Sequence, residues 1–143
     1  MKTEFVKPAE VERKWFVIDA EGKPLGRVAA KAAGIVRGKE KAIFAPHQEV
    51  GDFVVVVNAE KVAISGRKAQ NKLYHHHSGY VGGLKTVTFE KLIARHPTSP
   101  LEFAIKGMLP KGPLGRKLLQ NVKVYAGAGH PHEAQNPQAI ELQ

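Results

Sequence analysis

The stretch Lys106 to Arg116, KGMLPKGPLGR, has the residue types of a backbone held rigidly against a polyanion. Gly107, Gly112 and Gly115 remove side-chain bulk so that main-chain amides can approach a partner, and Pro110 and Pro113 fix φ and limit the entropy lost on binding. Lys106, Lys111 and Arg116 supply charge at nearly regular intervals, with Lys117 beside them. Met108, Leu109 and Leu114 are apolar enough to anchor the segment to a core, which makes it an ordered loop. No carboxylate lies between Glu102 and Glu133, and uncompensated charge of that kind reads as a phosphate footprint.

The run His75, His76, His77 invites a metal centre, because on a strand His75 and His77 share one face. A zinc site wants three or four ligands with cysteine or carboxylate help, and the nearest acids in sequence are the distant Glu60 and Glu90. Beside Arg67, Lys68, Lys72, Tyr74, Tyr80 and Lys85, imidazoles such as His76 make better sense as stacking and hydrogen-bonding groups on unpaired bases or sugars. The blandest alternative is an exposed polar strand with no partner. His130 and His132 in GHPHEAQ are weighed the same way.

Other chemistries find little support. EGKPLGR does not fit G-x-G-x-x-G, and G-x-x-x-x-G-K-[ST] is absent, so both nucleotide fingerprints are missing and no cofactor or small-molecule substrate is expected. Ser65, Ser78 and Ser99 sit in no nucleophile elbow, and carboxylates at catalytic spacing are lacking. A metal-dependent enzyme built on His75 and His77 remains the rival of a different class. With no cysteine, disulfides and thiolate-bound zinc are excluded.

A formal charge of +9 argues for an acidic partner, nucleic acid first and an anionic membrane surface second. Two acid-free windows, Lys61 to Phe89 and Phe103 to His132, each hold five Lys or Arg, whereas an ordinary soluble surface intersperses both signs. RNA suits these windows better than duplex DNA, since no groove-reading recognition helix is evident and Gly-rich loops with Tyr and His match irregular or single-stranded RNA. No apolar run approaches the ~20 residues of a spanning helix, and the charged N-terminus has no signal-type hydrophobic region, so a soluble cytoplasmic protein is expected.

The elements that must position these residues follow from periodicity. At 143 residues and 43% hydrophobic, the chain is long and apolar enough for one folded domain. Residues 1–14 read as an extended arm that Phe5 and Val6 pin down. Trp15 to Asp19 is a β-prone run, and Leu25 to Arg37 carries an amphipathic stripe closed by Gly38, with Lys23, Arg27 and Lys31 forming a basic ridge that continues into Arg37, Lys39 and Lys41. Phe53 to Val57 lacks polar alternation, as a strand covered on both faces does, and completes a βαβ unit. Asn58 is expected to cap a short turn, Lys72 to Tyr80 to form an edge strand or arm, Thr88 and Ser99 to cap two helices, and Leu114 to Asn121 to be helical. Val122 to Tyr125 reads as the last strand, and 126–143 as an irregular tail.

Taken together, WFVIDAEGKPLGR, GDFVVVVNAEKVAISG, HHSGYVGGLK, IKGMLPKGPLGR, KVYAG and HPHEAQNP resemble the bacterial form of the thirteenth large-subunit ribosomal protein family over nearly the whole chain. The resemblance implies a single α/β domain over 1–143, with a central, mostly parallel four-stranded sheet, helices on both faces, and extensions reaching into ribosomal RNA. It implies a non-catalytic role in the large ribosomal subunit: binding its RNA early in assembly, beside neighbouring ribosomal proteins, with messenger RNA as a further partner and a translational repressor as the alternative role. Three sets of RNA contacts are expected on this chain. They are Lys106, Lys111, Arg116 and Lys117 with the amides of Gly112 and Gly115; Arg27, Lys31, Arg37 and Lys39; and Arg67, Lys68, Lys72, Tyr74, His76, Tyr80 and Lys85.

Overall fold

A computed structural model describes residues 5–142; the first four residues of the expected N-terminal arm, and Gln143, lie outside the described residues. Strand β1 is Trp15–Asp19. The stripe predicted next to it is helix α1, Leu25–Arg37, which buries Leu25, Val28, Ala29, Ala32, Ala33, Ile35 and Val36. The helix ends at Gly38 in the left-handed region, where its amide reaches back to the carbonyls of Gly34 and Ile35. The all-apolar run is β2, Phe53–Val57, with Val54 to Val57 buried as a strand covered on both faces must be.

Beyond β2 the chain leaves the sheet. Helix α2 is a single turn at Lys68–Asn71, where only a turn was expected. The expected edge strand is β3, Leu73–His77, and it has a partner: β4, Leu84–Thr88, pairs with it antiparallel, with Tyr74 opposite Val87 and His76 opposite Lys85. Helix α3, Phe89–Arg95, follows without a break, its cap being Thr88 as predicted. Helix α4 spans Ser99–Met108, and here the expectation needs correction: Ser99 is already helical, Thr98 is the cap residue, and no side chain caps the end. Helix α5, Pro113–Leu119, leads into β5, Val122–Val124.

The tail is not wholly irregular, and β5 is not the last strand. After a 3-10 turn at Glu133–Gln135, Gln138–Ile140 forms β6, which pairs parallel with β1 and completes a four-stranded sheet ordered β5-β2-β1-β6, parallel throughout. Side chains from all five helices share one hydrophobic cluster with Ile18, Val54 and Val56. The alternating residues Trp15 and Phe53 stack on each other at 4.6 Å, and His132 of the C-terminal segment lies 5.1 Å from Trp15. The Tyr125 hydroxyl and His132 Nε2 are hydrogen-bonded at 2.7 Å. The tail is therefore seated by an aromatic cluster before it enters the sheet.

Asn58 holds the N-cap position of the turn at Ala59–Lys61, as expected, but its side chain makes no capping hydrogen bond. It sits in the left-handed region, and its amide donates to Asp19 Oδ1 at 2.8 Å, tying the ends of β1 and β2 together. That bond, with one from the Glu21 amide, holds the Asp19 carboxyl below its usual range against a smaller opposing effect of burial.

Candidate nucleic-acid interface

Helix α4 uses Leu101 and Ile105 as its buried stripe, which turns Phe103, Lys106 and Gly107 outward. Three grooves meet on this outward side and on the turn that follows. One of about 590 Å³ is lined by Phe103, Lys106, Lys111, Arg116 and the backbone of Gly107 and Gly112. A second, of about 480 Å³, runs between α1 and the end of α4 and carries Arg37 and Lys39 against Met108 and Pro110. The third, about 350 Å³, brings Lys68 and Lys72 to Ala104 and Met108. None of the residues lining the three is acidic. Stretches separated by up to seventy-odd positions in sequence thus deliver their cations to one helix.

The segment expected to be an ordered loop is mostly helical: Lys106–Met108 end α4, Pro113–Arg116 begin α5, and only 109–112 form the turn between them. Gly112 has φ +109°, a conformation side chains rarely adopt, and it lets the chain turn into α5. Gly115 is buried, and a Cβ there would lie 1.6 Å from the Pro110 carbonyl oxygen, so it is needed for α5 to pack on the turn. This packing role stands beside the amide contact expected of Gly115, which lines the same groove as Lys111 and Arg116.

Tyr74 belongs to this surface. Its ring lies 6.0 Å from that of Phe103, tilted by 37°, and Lys72 Nζ stands 5.6 Å from its centroid. Burial pushes the Tyr74 phenol upward, and its oxygen has no hydrogen-bond partner among the described residues. His76 and Lys85 lie on the same face of the hairpin as Tyr74, farther out, and Tyr80 is 79% exposed at the turn. Arg67 is exposed just before α2. On the other face, His75 Nδ1 is hydrogen-bonded to Thr86 Oγ1 at 2.9 Å, and His77 Nδ1 accepts from the Gly79 amide at 2.9 Å. Among the described residues no three His, Cys, Asp or Glu side chains are grouped as metal ligands.

Other predicted contacts are placed elsewhere or are otherwise engaged. Arg27 and Lys31 line a separate groove with Glu141 and Leu142, and Lys31 Nζ pairs with Glu40 at 2.6 Å. Arg37 donates Nη2 to the Pro46 carbonyl at 2.7 Å and packs 5.3 Å from the Phe44 centroid, so part of its guanidinium braces a loop. Lys117 points to another groove and pairs with Glu49 at 3.3 Å, although it stays 68% exposed.

Glu49, whose side chain is 9% exposed, is a hub that sequence reasoning missed. It accepts from Arg13 at 3.1 Å and Asn121 at 2.6 Å besides meeting Lys117, and so joins the N-terminal arm, the loop before β2 and the end of α5. Burial pushes its carboxyl up, but the hydrogen bonds from Asn121 and Lys117 and the charge of Arg13 outweigh burial, and its pKa ends below the usual value. Asp52 plays a similar part, accepting from the Lys14 amide at 2.9 Å and pairing with Lys41 at 2.7 Å. Phe103 was missed as well. Its signal was available: it stands two residues from both Leu101 and Ile105 and so falls off the buried stripe.

The molecule is a small parallel-sheet domain whose three grooves around α4 are lined by lysine and arginine with no acidic residue among the described residues that line them. The family model described as Ribosomal protein L13 matches residues 13–131. Among its relatives, the large ribosomal subunit protein uL13 of Treponema denticola is 67% identical over 142 residues, covering 99% of this chain and all of that one. That of Hydrogenovibrio crunogenus is 58% identical over the same length, and that of Treponema pallidum is 61% identical over 137 residues, 96% of each chain. The chain belongs to the ribosomal protein L13 family, which is structural and non-enzymatic.

Proposed function

We propose that this chain serves the large ribosomal subunit in the cytoplasm as a structural constituent. It binds large-subunit ribosomal RNA through the grooves around α4 and holds RNA segments together early in assembly, beside neighbouring ribosomal proteins. The single observation that carries the RNA contact is the convergence of Lys39, Lys68, Lys72, Lys106, Lys111 and Arg116 on one helix with no carboxylate among the lining residues. Such a surface neutralises phosphates whose spacing is set by RNA tertiary structure, and the shape of loop and hairpin selects the site. Tyr74, His76, Tyr80 and Lys85 extend it along the hairpin, Arg67 adds charge before α2, and Arg27 offers a further contact from its separate groove. Lys31, Arg37 and Lys117 contribute what their protein partners leave free, and Gly112 and Gly115 shape the loop.

Large-subunit RNA binding measured against salt tests this proposal. With ~6 to 10 phosphates neutralised, affinity falls by ~10³ to 10⁵ between 50 and 200 mM salt, and a flat response contradicts it. Messenger RNA, which the family resemblance implies as a second ligand, would use the same surface, so large-subunit RNA should compete it off.

A further inference from the structure

Phe103 is the one large aromatic side chain on the outward side of α4. It is 51% exposed although the helix has a complete buried stripe without it. A half-exposed phenylalanine amid lysines costs solvation and contributes little to the core, so its position calls for a partner that covers it.

Its surroundings describe that partner. The Tyr74 ring lies on one side of Phe103, 6.0 Å away between centroids. One turn further along α4, Gly107 presents no side chain, and a Cβ added there would meet nothing within 4 Å, so the space beside the ring is open. Leu119 lines the same groove, and Lys106, Lys111 and Arg116 stand around it. The volume of about 590 Å³ falls in the ~300 to 1,000 Å³ range of ligand-binding clefts and leaves room for one planar group. Apolar and aromatic walls inside a cationic rim complement one chemistry above others: a flat uncharged ring carrying negative charge on either side.

We propose that this groove receives a single unpaired nucleotide of RNA, its base stacked on Phe103 and its flanking phosphates held by Lys106, Lys111 and Arg116. The proposal rests on the RNA-binding function above and goes further by naming a base-binding site and a residue for it. A base inside a duplex is already stacked on both sides and cannot enter, so the groove selects looped or bulged RNA. A neighbouring protein's aromatic side chain would fit the walls but leave the three cations without counter-charge, which favours the nucleotide.

The test uses the full chain and two probes, a short oligoadenylate and a short RNA duplex, with affinity followed by fluorescence anisotropy across a salt series. Phe103→Leu should weaken oligoadenylate binding by about 5- to 150-fold, the loss of one stacked base, with the salt slope and duplex affinity unchanged. Phe103→Tyr should restore it, which separates stacking from a folding defect. Lys111→Ala should lower the slope by about one instead. If Phe103→Leu binds oligoadenylate as tightly as the parent while Lys111→Ala lowers the slope, the base site is wrong and RNA binding by this surface stands. If binding of both probes is independent of salt, RNA binding itself fails and the base site with it. Normal RNA affinity for Phe103→Leu combined with failure to join the large subunit would assign the groove to a protein and overturn the proposal.

Discussion

Two regions of this molecule are rich in lysine and arginine and use them in opposite ways. Around Glu49 and Asp52, the cations Arg13, Lys41 and Lys117 each meet a carboxylate, and the result is a clamp joining the N-terminal arm, the loop before β2 and α5. Around α4, Lys39, Lys106, Lys111 and Arg116 form no ion pair among the described residues, and the grooves they line hold no acid. Net charge alone does not tell these apart. Placement of two largely buried carboxylates decides which cations stabilise the fold and which are left for an external anion.

The comparison breaks most visibly where charge is removed from the open side. Lys111→Ala combined with Arg116→Ala should cut large-subunit RNA affinity by about 10- to 100-fold, two charge-assisted contacts, with the far-UV spectrum unchanged. On the clamped side, Glu49→Ala should cost about 1–3 kcal/mol in urea unfolding, because it strands Asn121 and leaves Arg13 and Lys117 facing each other. RNA affinity of that variant should hold or rise as Lys117 is released.

Acid should weaken the carboxylate contacts that hold the fold together. Glu49 and Asp19 have folded pKa values below their unfolded ones, so their contribution is complete above the ordinary carboxylate range of about 4 and is lost as pH falls through the lowered folded values. Glu49→Gln, followed by urea midpoints from pH 6 to pH 3, should flatten that part of the profile. His132 gives a milder counterpart at the tail. Burial, His130 and Lys123 depress its pKa, so the stability it lends is present above the ordinary imidazole value of about 6.5 and declines as pH drops through its folded pKa. The sole tryptophan, Trp15, stacked 5.1 Å away, should report this as a fall in fluorescence that His132→Gln abolishes.

The elements legible in the sequence were those whose signal is local. The stripe over Leu25–Arg37, the apolar run Phe53–Val57 and the Thr88 cap each declare themselves within a few residues. Strand β4 did not, because LKTVT is mostly exposed and acquires its structure by pairing with β3. Nor did β6, three residues whose strand character comes from lying beside β1. KGMLPKGPLGR was legible as an ordered cationic segment but not as what it is, the end of α4 and the start of α5 joined by a short turn, and the job of Gly115 depends on where the Pro110 carbonyl lies. The split between clamped and open cations was hidden for the same reason: Glu49 lies far in sequence from Lys117 and Asn121, and only the fold brings them together. Lys31→Ala, which removes an exposed pair with Glu40, should change stability by no more than about 1 kcal/mol and marks the lower end of these effects.

The most direct measurement is the slope of log affinity against log salt for large-subunit RNA, taken for the parent chain, the Lys111→Ala and Arg116→Ala double variant, and Lys41→Ala. The double variant should lower the slope by about two, while Lys41→Ala, whose charge is held by Asp52, should leave it unchanged. An unchanged slope in the double variant, or an equal loss in Lys41→Ala, would contradict the division of the surface into clamped and open charge.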